Sequence, residues 1–289
     1  MDESKMFMNN LASSPAKPVK EIAISKKETE QYTSWDKFDP LEYAKRNYEN
    51  MLPEDKIIIE SVSKAIKEYG IKKNQFENAA DVGAGPNLYP AMLLSPYVKG
   101  KIDLIEYSSS NRQYLEKVLG NNPQGEYLEH KENWIKYSKI IESMSEEDNK
   151  DSFDKTKDKI AIKAGSIYDL PQKQYSAVSS FFCTESITDK PKEFQKALES
   201  LMSSLRPGGL FVVTHMVGSE GYYAGEGTKF PAVNFSEDDL KRAYQSIDVI
   251  SDFHLERAEA SAGEKKAREG YHGMAVVIGH KKMEEKNKF

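Results

Sequence analysis

Gly83 and Gly85 stand two residues apart at the end of a short apolar run, Ala79-Ala80-Asp81-Val82, and lead into Pro86-Asn87-Leu88-Tyr89. Residues of these types at this spacing read as a buried strand, a glycine turn and the first turn of a helix. Glycines permit backbone angles and close approaches that a Cβ forbids. The helix that follows turns its unpaired N–H groups and the positive end of its dipole back toward the same spot. A junction of this kind binds a nucleotide-like ligand, and a second run, 101–107, ends on a carboxylate, Glu106, that can face it.

The elements that must position these residues follow from periodicity. Residues 55–69 place Ile57, Ile58, Val62, Ala65, Ile66 and Tyr69 at three- and four-residue spacing, with Gly70 as a C-cap. The glycine turn, an apolar helix through Ala91-Met92-Leu93-Leu94 and the strand ending at Glu106 make one βαβ unit. A helix is expected over 111–119. Residues 120–158 read as an insertion, an amphipathic helix followed by a solvated charged loop over 145–158. Strands are expected over 159–167 and 175–182. A helix from about 190 carries Pro191 in its first turn and ends in a tight reversal at Arg206-Pro207-Gly208-Gly209 before a strand over 210–217. Ser236 and Asp239 form a capping pair for another helix, and two strands over 252–258 and 273–279 pair antiparallel. Alternating strands and helices followed by that pair predict a single α/β domain over 1–289, a Rossmann-like sandwich on a mostly parallel seven-stranded sheet.

Bulk properties agree with this. The chain has 289 residues, 38% hydrophobic and 30% charged, and its mean hydropathy is -0.68, which together suit a cored domain with polar extensions. A formal net charge of -5 gives no basic footprint for nucleic acid. Cys183 is the only cysteine, which excludes an intrachain disulfide and fits a reducing compartment. The N-terminal residues lack the apolar run of a signal peptide, and no window reaches the length of a membrane span, so a cytoplasmic protein without a membrane partner, monomeric by preference, is expected. Residues 1 to about 30 and the tail beyond 281 read as polar extensions. Tyr32, Trp35, Phe38, Tyr43 and Tyr48 then crowd aromatics around Asp39-Pro40. They either dock the N-terminal segment or close as a lid over a ligand, and position alone does not separate the two. His130, His254, His272 and His280 show no metal-ligand spacing, so no metal is expected.

The turn itself narrows the ligand. A dinucleotide fingerprint needs a third glycine three residues after the second, and Leu88 stands there. No Gly-Lys-Ser/Thr is present either, so a phosphate loop is excluded. A ligand with adenosine but no pyrophosphate fits, and S-adenosylmethionine (SAM) is such a ligand. Glu106 would then accept hydrogen bonds from its ribose hydroxyls.

The stretch 81–89, Ile105-Glu106-Tyr107-Ser108 with Asn111, and Leu205-Arg206-Pro207-Gly208-Gly209 resemble the motifs of class I SAM-dependent methyltransferases. A narrower resemblance is to the family of nicotinamide, phenylethanolamine and indolethylamine (thioether) N-methyltransferases. It rests on Phe38, Pro40, Tyr43 and Tyr48, on Gly83, Gly85, Pro86 and Tyr89, and on a loop with Tyr222, Tyr223, Gly225, Glu226 and Phe230, the last motif carrying one extra residue. The likeness runs over residues 32–281. It implies SAM contacts at Tyr43, Tyr48, Gly83, Ala84, Gly85, Tyr89, Glu106, Asn111, Ser166, Ile167 and Phe181. It implies an acceptor pocket of Tyr43, Phe182, His215, Ser219 and Tyr223. The chain departs from the pattern twice. Relatives often have Asp where Ser166 stands, which makes Asp169 an alternative partner for the adenine amino group. Relatives often have a carboxylate at or just after the end of the 210–217 strand, where this chain has His215.

Methyl transfer to a small molecule, an amine nitrogen by family likeness, is the function these residues imply. It needs alignment of the acceptor lone pair with the S–CH3 bond and exclusion of water. Tyr43, His215 and Glu185 are the candidate catalytic groups. His215 comes first as a base, since an unperturbed imidazole titrates near neutrality, though it serves equally as a hydrogen-bonded pocket wall. Cys183 reads as a small buried hydrophobe. Two other readings stand beside methyl transfer: a SAM-consuming enzyme that cyclises SAM and releases methylthioadenosine, and a SAM-binding protein without catalysis.

Overall fold

The computed structural model describes residues 35–145, 151–224, 228–259 and 271–284. Strands β1 (Ala79–Val82), β2 (Ile102–Glu106), β3 (Ile160–Ala164), β4 (Tyr175–Phe181) and β5 (Leu205–Val217) lie parallel. A small ribbon follows, β6 (Tyr222–Tyr223) with β7 (Lys229–Phe230). The last strands are β8 (Ile250–Ala258) and β9 (Gly273–Lys281), and β9 inserts antiparallel between β5 and β8. The seven-stranded order is β3-β2-β1-β4-β5-β9-β8. Chain order runs one way from β1 through β2 to β3 and the other way from β4 to β5. The carboxyl ends of β1 and β4 therefore flank a crevice at the point where strand order reverses, the usual ligand position in such sheets.

Eight helices surround the sheet among the described residues: α1 (Pro40–Tyr48), α2 (Pro53–Glu68), α3 (Tyr89–Leu94), α4 (Ser109–Leu119), α5 (Glu126–Met144), α6 (Phe153–Lys159), α7 (Pro191–Ser204) and α8 (Glu237–Gln245). Their ends are set by local chemistry. Asp39 caps α1 by accepting from the N–H groups of Leu41 and Glu42 at 3.0 and 3.1 Å, with Pro40 at the first helical position. After α2, Gly70 takes φ +66, and the N–H groups of Gly70 and Ile71 return to the carbonyls of Lys67 and Ile66 at 2.9 and 3.1 Å. Ser236 and Asp239 form the expected capping box of α8.

Two cores lie on opposite faces of the sheet. One holds residues of α1 through α5, among them Tyr48, Ile58, Tyr89, Leu115 and Trp134. The other holds Phe194, Leu198, Leu201 and Tyr244 from α7 and α8. Each fully buried leucine contributes about 1.5–3 kcal/mol relative to exposure. The two-residue period of β5 sorts its side chains between them. Leu210, Val212 and Met216 enter the first core, and Phe211, Val213 and Val217 the second. That parity decides where His215 points.

Two expectations are corrected. The charged stretch 145–158 is not simply a solvated loop. Ser152 caps α6, which buries Phe153 and Thr156. Asp151 is buried too, accepting from the Lys159 ammonium at 2.7 Å and the Ser95 hydroxyl at 2.9 Å. A pair with one partner buried looks, in sequence, like any other charge run. Arg206-Pro207-Gly208-Gly209 is not a reversal outside the sheet but a bulge inside β5. Tyr175 opposes Leu205 and Ala177 opposes Leu210, with Gly208 at φ +74. Residues 1–34, Gly225 and Glu226 of the tyrosine loop, and the tail from 285 lie outside the described residues. All described residues belong to one unit, Ser34–Phe289.

Candidate functional site

The crevice between β1 and β4 is floored by the glycine turn. Gly83 has φ +67, and a Cβ there would come within 2.1 Å of Cys183 Sγ, so both its conformation and its neighbour demand glycine. Gly85 has φ +56 and nothing within 4 Å of where its Cβ would be, which leaves its outer side open. The Gly85 N–H donates to Glu106 Oε2 at 2.7 Å. The other oxygen, Oε1, accepts from the Ser108 N–H at 2.7 Å and from Asn111 Nδ2 at 3.3 Å. Glu106 thus ties the turn to the first residues of α4 while only 6% exposed. Burial pushes its pKa up, opposed by these three hydrogen bonds and by the charge of Arg112.

Three buried polar atoms near this turn lack hydrogen-bond partners: Asp81 Oδ2, Asn87 Nδ2 and Asn111 Oδ1. An unmade hydrogen bond in the interior costs about 1–3 kcal/mol. Two acceptors and one donor left in this state around an open glycine suit a ligand with both donors and acceptors. The residues therefore fit an adenosine-bearing group with an amino-acid end. Asp81 also accepts from the Ser179 hydroxyl at 2.7 Å. Burial lifts its pKa to about 7, the serine opposing and Glu106 adding to the rise.

An aromatic wall rises on the same side. Tyr89, wholly buried, sets its ring edge-on to Phe181 at 5.2 Å and to Tyr48 at 6.2 Å. Tyr48 packs on Trp134 of α5 at 5.1 Å. Tyr43 lies between Phe38 at 4.9 Å and Tyr222 at 6.5 Å, and Tyr222 stacks on Phe230 at 5.5 Å. Phe182, at φ +57, closes the end of β4 beside Phe181. Ala84 and Ser219 are buried, and the Ser219 hydroxyl accepts from the Gly221 N–H at 3.4 Å. Ser166 stands at the end of β3, where its hydroxyl accepts from the Tyr168 N–H at 3.2 Å and caps a short turn that buries Ile167. Asp169, in the same turn, is exposed.

The structure moves three candidates out of the cleft. Tyr223 is 54% exposed, because consecutive residues of β6 point to opposite sides and Tyr222 takes the inward place. His215 falls on the second-core parity of β5 and has no exposed surface. Its Nε2 meets the Tyr244 hydroxyl at 2.9 Å, and its Nδ1 meets Glu185 Oε2 at 3.1 Å and Thr184 Oγ at 3.2 Å. Glu185 is equally buried, and its Oε1 accepts from the Met216 N–H at 3.0 Å. The two expected catalytic groups are brought together, paired with each other on the second-core side against Phe194 of α7 and Tyr244 of α8. Burial also pushes the Cys183 thiol well up, with the charges of Glu106 and Glu185 adding to the rise, in keeping with a packing role against Gly83. Among the described residues no cluster could hold a metal ion, and no helix is long and apolar enough to cross a membrane.

Sequence reasoning missed Asp55, which accepts from the Tyr89 hydroxyl at 3.1 Å while 2% exposed. It also left Trp134, which packs on Tyr48, outside the site.

Comparison with known proteins follows the same lines. The sequence description of the NNMT/PNMT/TEMT family matches residues 26–282. The chain is similar to phenylethanolamine N-methyltransferase from Homo sapiens, 27% identical over 177 residues, 56% of this chain and 59% of that protein. It is also similar to nicotinamide N-methyltransferase from Homo sapiens, 23% identical over 221 residues, 71% of this chain and 80% of that protein. The match thus spans 59% of the length of the phenylethanolamine relative. In fold, the chain is similar to a SAM-dependent methyltransferase from Leishmania major, with a TM-score of 0.51, 13% identity and coverage of 88% of this chain and 82% of that one.

Proposed function

The chain belongs to the NNMT/PNMT/TEMT family, and from that premise we propose that it transfers a methyl group from SAM to a small-molecule acceptor, an amine nitrogen as in the name of its phenylethanolamine relative. The observation that carries this reading is the glycine turn. Gly85 is open on its outer side, its N–H is held by Glu106, and unpartnered polar atoms of Asp81, Asn87 and Asn111 surround it.

Bound SAM supplies a methyl carbon already activated by its sulfonium. The chain's own residues bind, orient and exclude water. Gly83, Ala84, Gly85 and Tyr89 hold the amino-acid end, and Glu106 accepts from the ribose hydroxyls. Asn111, Ser166, Ile167 and Phe181 take the adenosine, and Tyr43 and Tyr48 cover it. Phe182, Tyr43, Ser219 and Tyr222 wall the acceptor. Positioning of this kind contributes roughly 7–11 kcal/mol to barrier lowering. With His215 and Glu185 turned into the second core, the described residues offer alignment in place of a general base. Acceptors whose nitrogen carries a free lone pair at the assay pH are therefore expected to react fastest.

Incubation with SAM and a panel of amines, hydroxyls and thiols, followed by mass spectrometry, tests the reading. Methylated acceptor and S-adenosylhomocysteine (SAH) should form only when an acceptor is present. Methylthioadenosine released from SAM alone would replace methyl transfer by cyclisation, a reading weakened by the burial of the imidazole that motivated it. Binding without turnover across the panel would leave a non-catalytic SAM-binding protein. Tyr43→Ala should weaken both SAM and acceptor binding by roughly tenfold, the area of one aromatic face, and unchanged binding of both removes Tyr43 from the cover.

A further inference from the structure

We propose that Thr214 is a specificity-determining residue, whose hydroxyl bonds to a polar group at the acceptor's end remote from the methylated nitrogen. The inference rests on the methyl-transfer reading above and deepens it by naming a class of acceptor.

Side chains of a strand alternate between its two faces. Thr214 stands two residues from Val212 and two from Met216, both in the first core, so it faces away from the side of His215. Its register partners are Phe181 on β4 and Val276 on β9, both also in the first core. The Thr214 carbonyl accepts from the Phe182 N–H at 2.9 Å. Further along the chain, past the end of β5, come Gly218 and Ser219. Thr214 thus lies beside residues that wall the acceptor. Neighbouring strands are about 4.7–4.9 Å apart. The cofactor crevice lies between β1 and β4, so a polar group that reaches β5, one strand farther out, belongs to the acceptor and not to SAM.

Thr214 has no exposed surface, and its Oγ has no hydrogen-bond partner among the described residues. A buried hydroxyl in that state has lost its water with nothing in exchange. Valine has the same shape without that cost, and it occupies the two preceding positions, 212 and 213. Thr184 shows the contrast, since its equally buried hydroxyl meets Glu185 at 3.3 Å and His215 at 3.2 Å. The unmade bond of Thr214 is one that a bound acceptor can make. A hydroxyl both donates and accepts, so a hydroxyl, an amide or a ring nitrogen serves as its partner. Around it Phe181, Phe182, Met216 and Val276 offer apolar surface. The acceptor class is therefore an amine with an apolar body and one hydrogen-bonding group at the far end.

The test is steady-state kinetics with Thr214→Val on pairs of amines that differ only by a far-end hydroxyl. Each pair is built on an amine that the unaltered protein methylates. The unaltered protein should favour the hydroxylated member in kcat/KM by roughly tenfold, which is one hydrogen bond of about 1.4 kcal/mol. Thr214→Val should abolish that preference through KM. It should leave kcat and the SAM dissociation constant within about twofold, because the hydroxyl lies away from the reacting atoms. The ligand-free variant should melt about 2–4 °C higher, having lost an unpaired polar group. Thr214→Ser keeps the hydroxyl and should keep the preference. Thr214→Ala removes the hydroxyl as well and serves if Thr214→Val fails to fold. A preference that survives removal of the hydroxyl, or equal losses for both members of a pair, overturns the assignment. A melting temperature lowered by Thr214→Val shows a hydroxyl already bonded within the fold and overturns it too. If the unaltered protein methylates no amine, the methyl-transfer reading falls and this inference with it. If it methylates amines without distinguishing the pairs, only the role of Thr214 falls.

Discussion

The two faces of the sheet each bury a polar cluster, and the clusters differ in how completely they are satisfied. In front, around the glycine turn, Glu106 is bonded but Asp81, Asn87 and Asn111 each keep an atom without a partner. Behind, Glu185, His215, Thr184 and Tyr244 close on one another and on the Met216 N–H, and no atom among them is left over. Both contain a carboxylate at the end of a strand, and the rear one has the histidine that chemistry would favour. Satisfaction, more than residue type, separates the two clusters. A saturated network rigidifies the protein, whereas an unsaturated one carries a cost that a ligand can remove.

The difference can be broken at three points. The largest effect is expected at Glu106. Glu106→Ala removes the acceptor for the ribose and the anchor of Gly85, and SAM affinity should fall by about 100-fold or more, from two charge-assisted bonds of roughly 1.5–3 kcal/mol each. Calorimetric titration beside a thermal melt checks this. A normal dissociation constant means that the cofactor site is misplaced.

Asp81 comes next. Its pKa in the folded chain is about 7, against 3.8 for an ordinary aspartate. The unfolded chain therefore releases its proton first as pH rises. Stability due to protonated Asp81 is full below about pH 4 and lost as pH climbs through 7. The loss is on the order of 4 kcal/mol, since each pKa unit is worth about 1.4. Asp81→Asn should flatten this fall in urea melts of the ligand-free protein between pH 4 and 8. An unchanged slope would assign the pH dependence to another group.

The smallest effect should come from the rear. Tyr244→Phe leaves His215 Nε2 without its partner, at a cost of about 1–3 kcal/mol in stability. SAM affinity should stay within about twofold of the original. A large drop in affinity with an unmoved melting temperature would reverse the assignment of the two clusters.

Much of this was legible from residue order. The Schellman glycine Gly70, the capping pair Ser236 and Asp239, and the strand ends at Val82 and Glu106 follow from rules that act within a few residues. So does the glycine turn, whose φ values only glycine takes easily. Other features were not legible. Charged residues around 151–159 looked like a solvated face until folding paired Asp151 with Lys159 and Ser95. Nothing in the residues around Asp55 signals that α2 brings it to Tyr89, 34 positions away in sequence.

The sequence by itself determined the βαβ turn, the mostly parallel sheet and the kind of ligand that such a turn accepts. These depend on local backbone permission and on hydrophobic period, both of which are written in neighbouring residues. Only the tertiary structure decided which polar groups gather around that turn. A shift of one residue along β5 separates the first core from the second, and register with β4 and β9 put His215 behind the sheet. Side-chain direction in a strand depends on its partners, and the partners of β5 lie far from it in the chain.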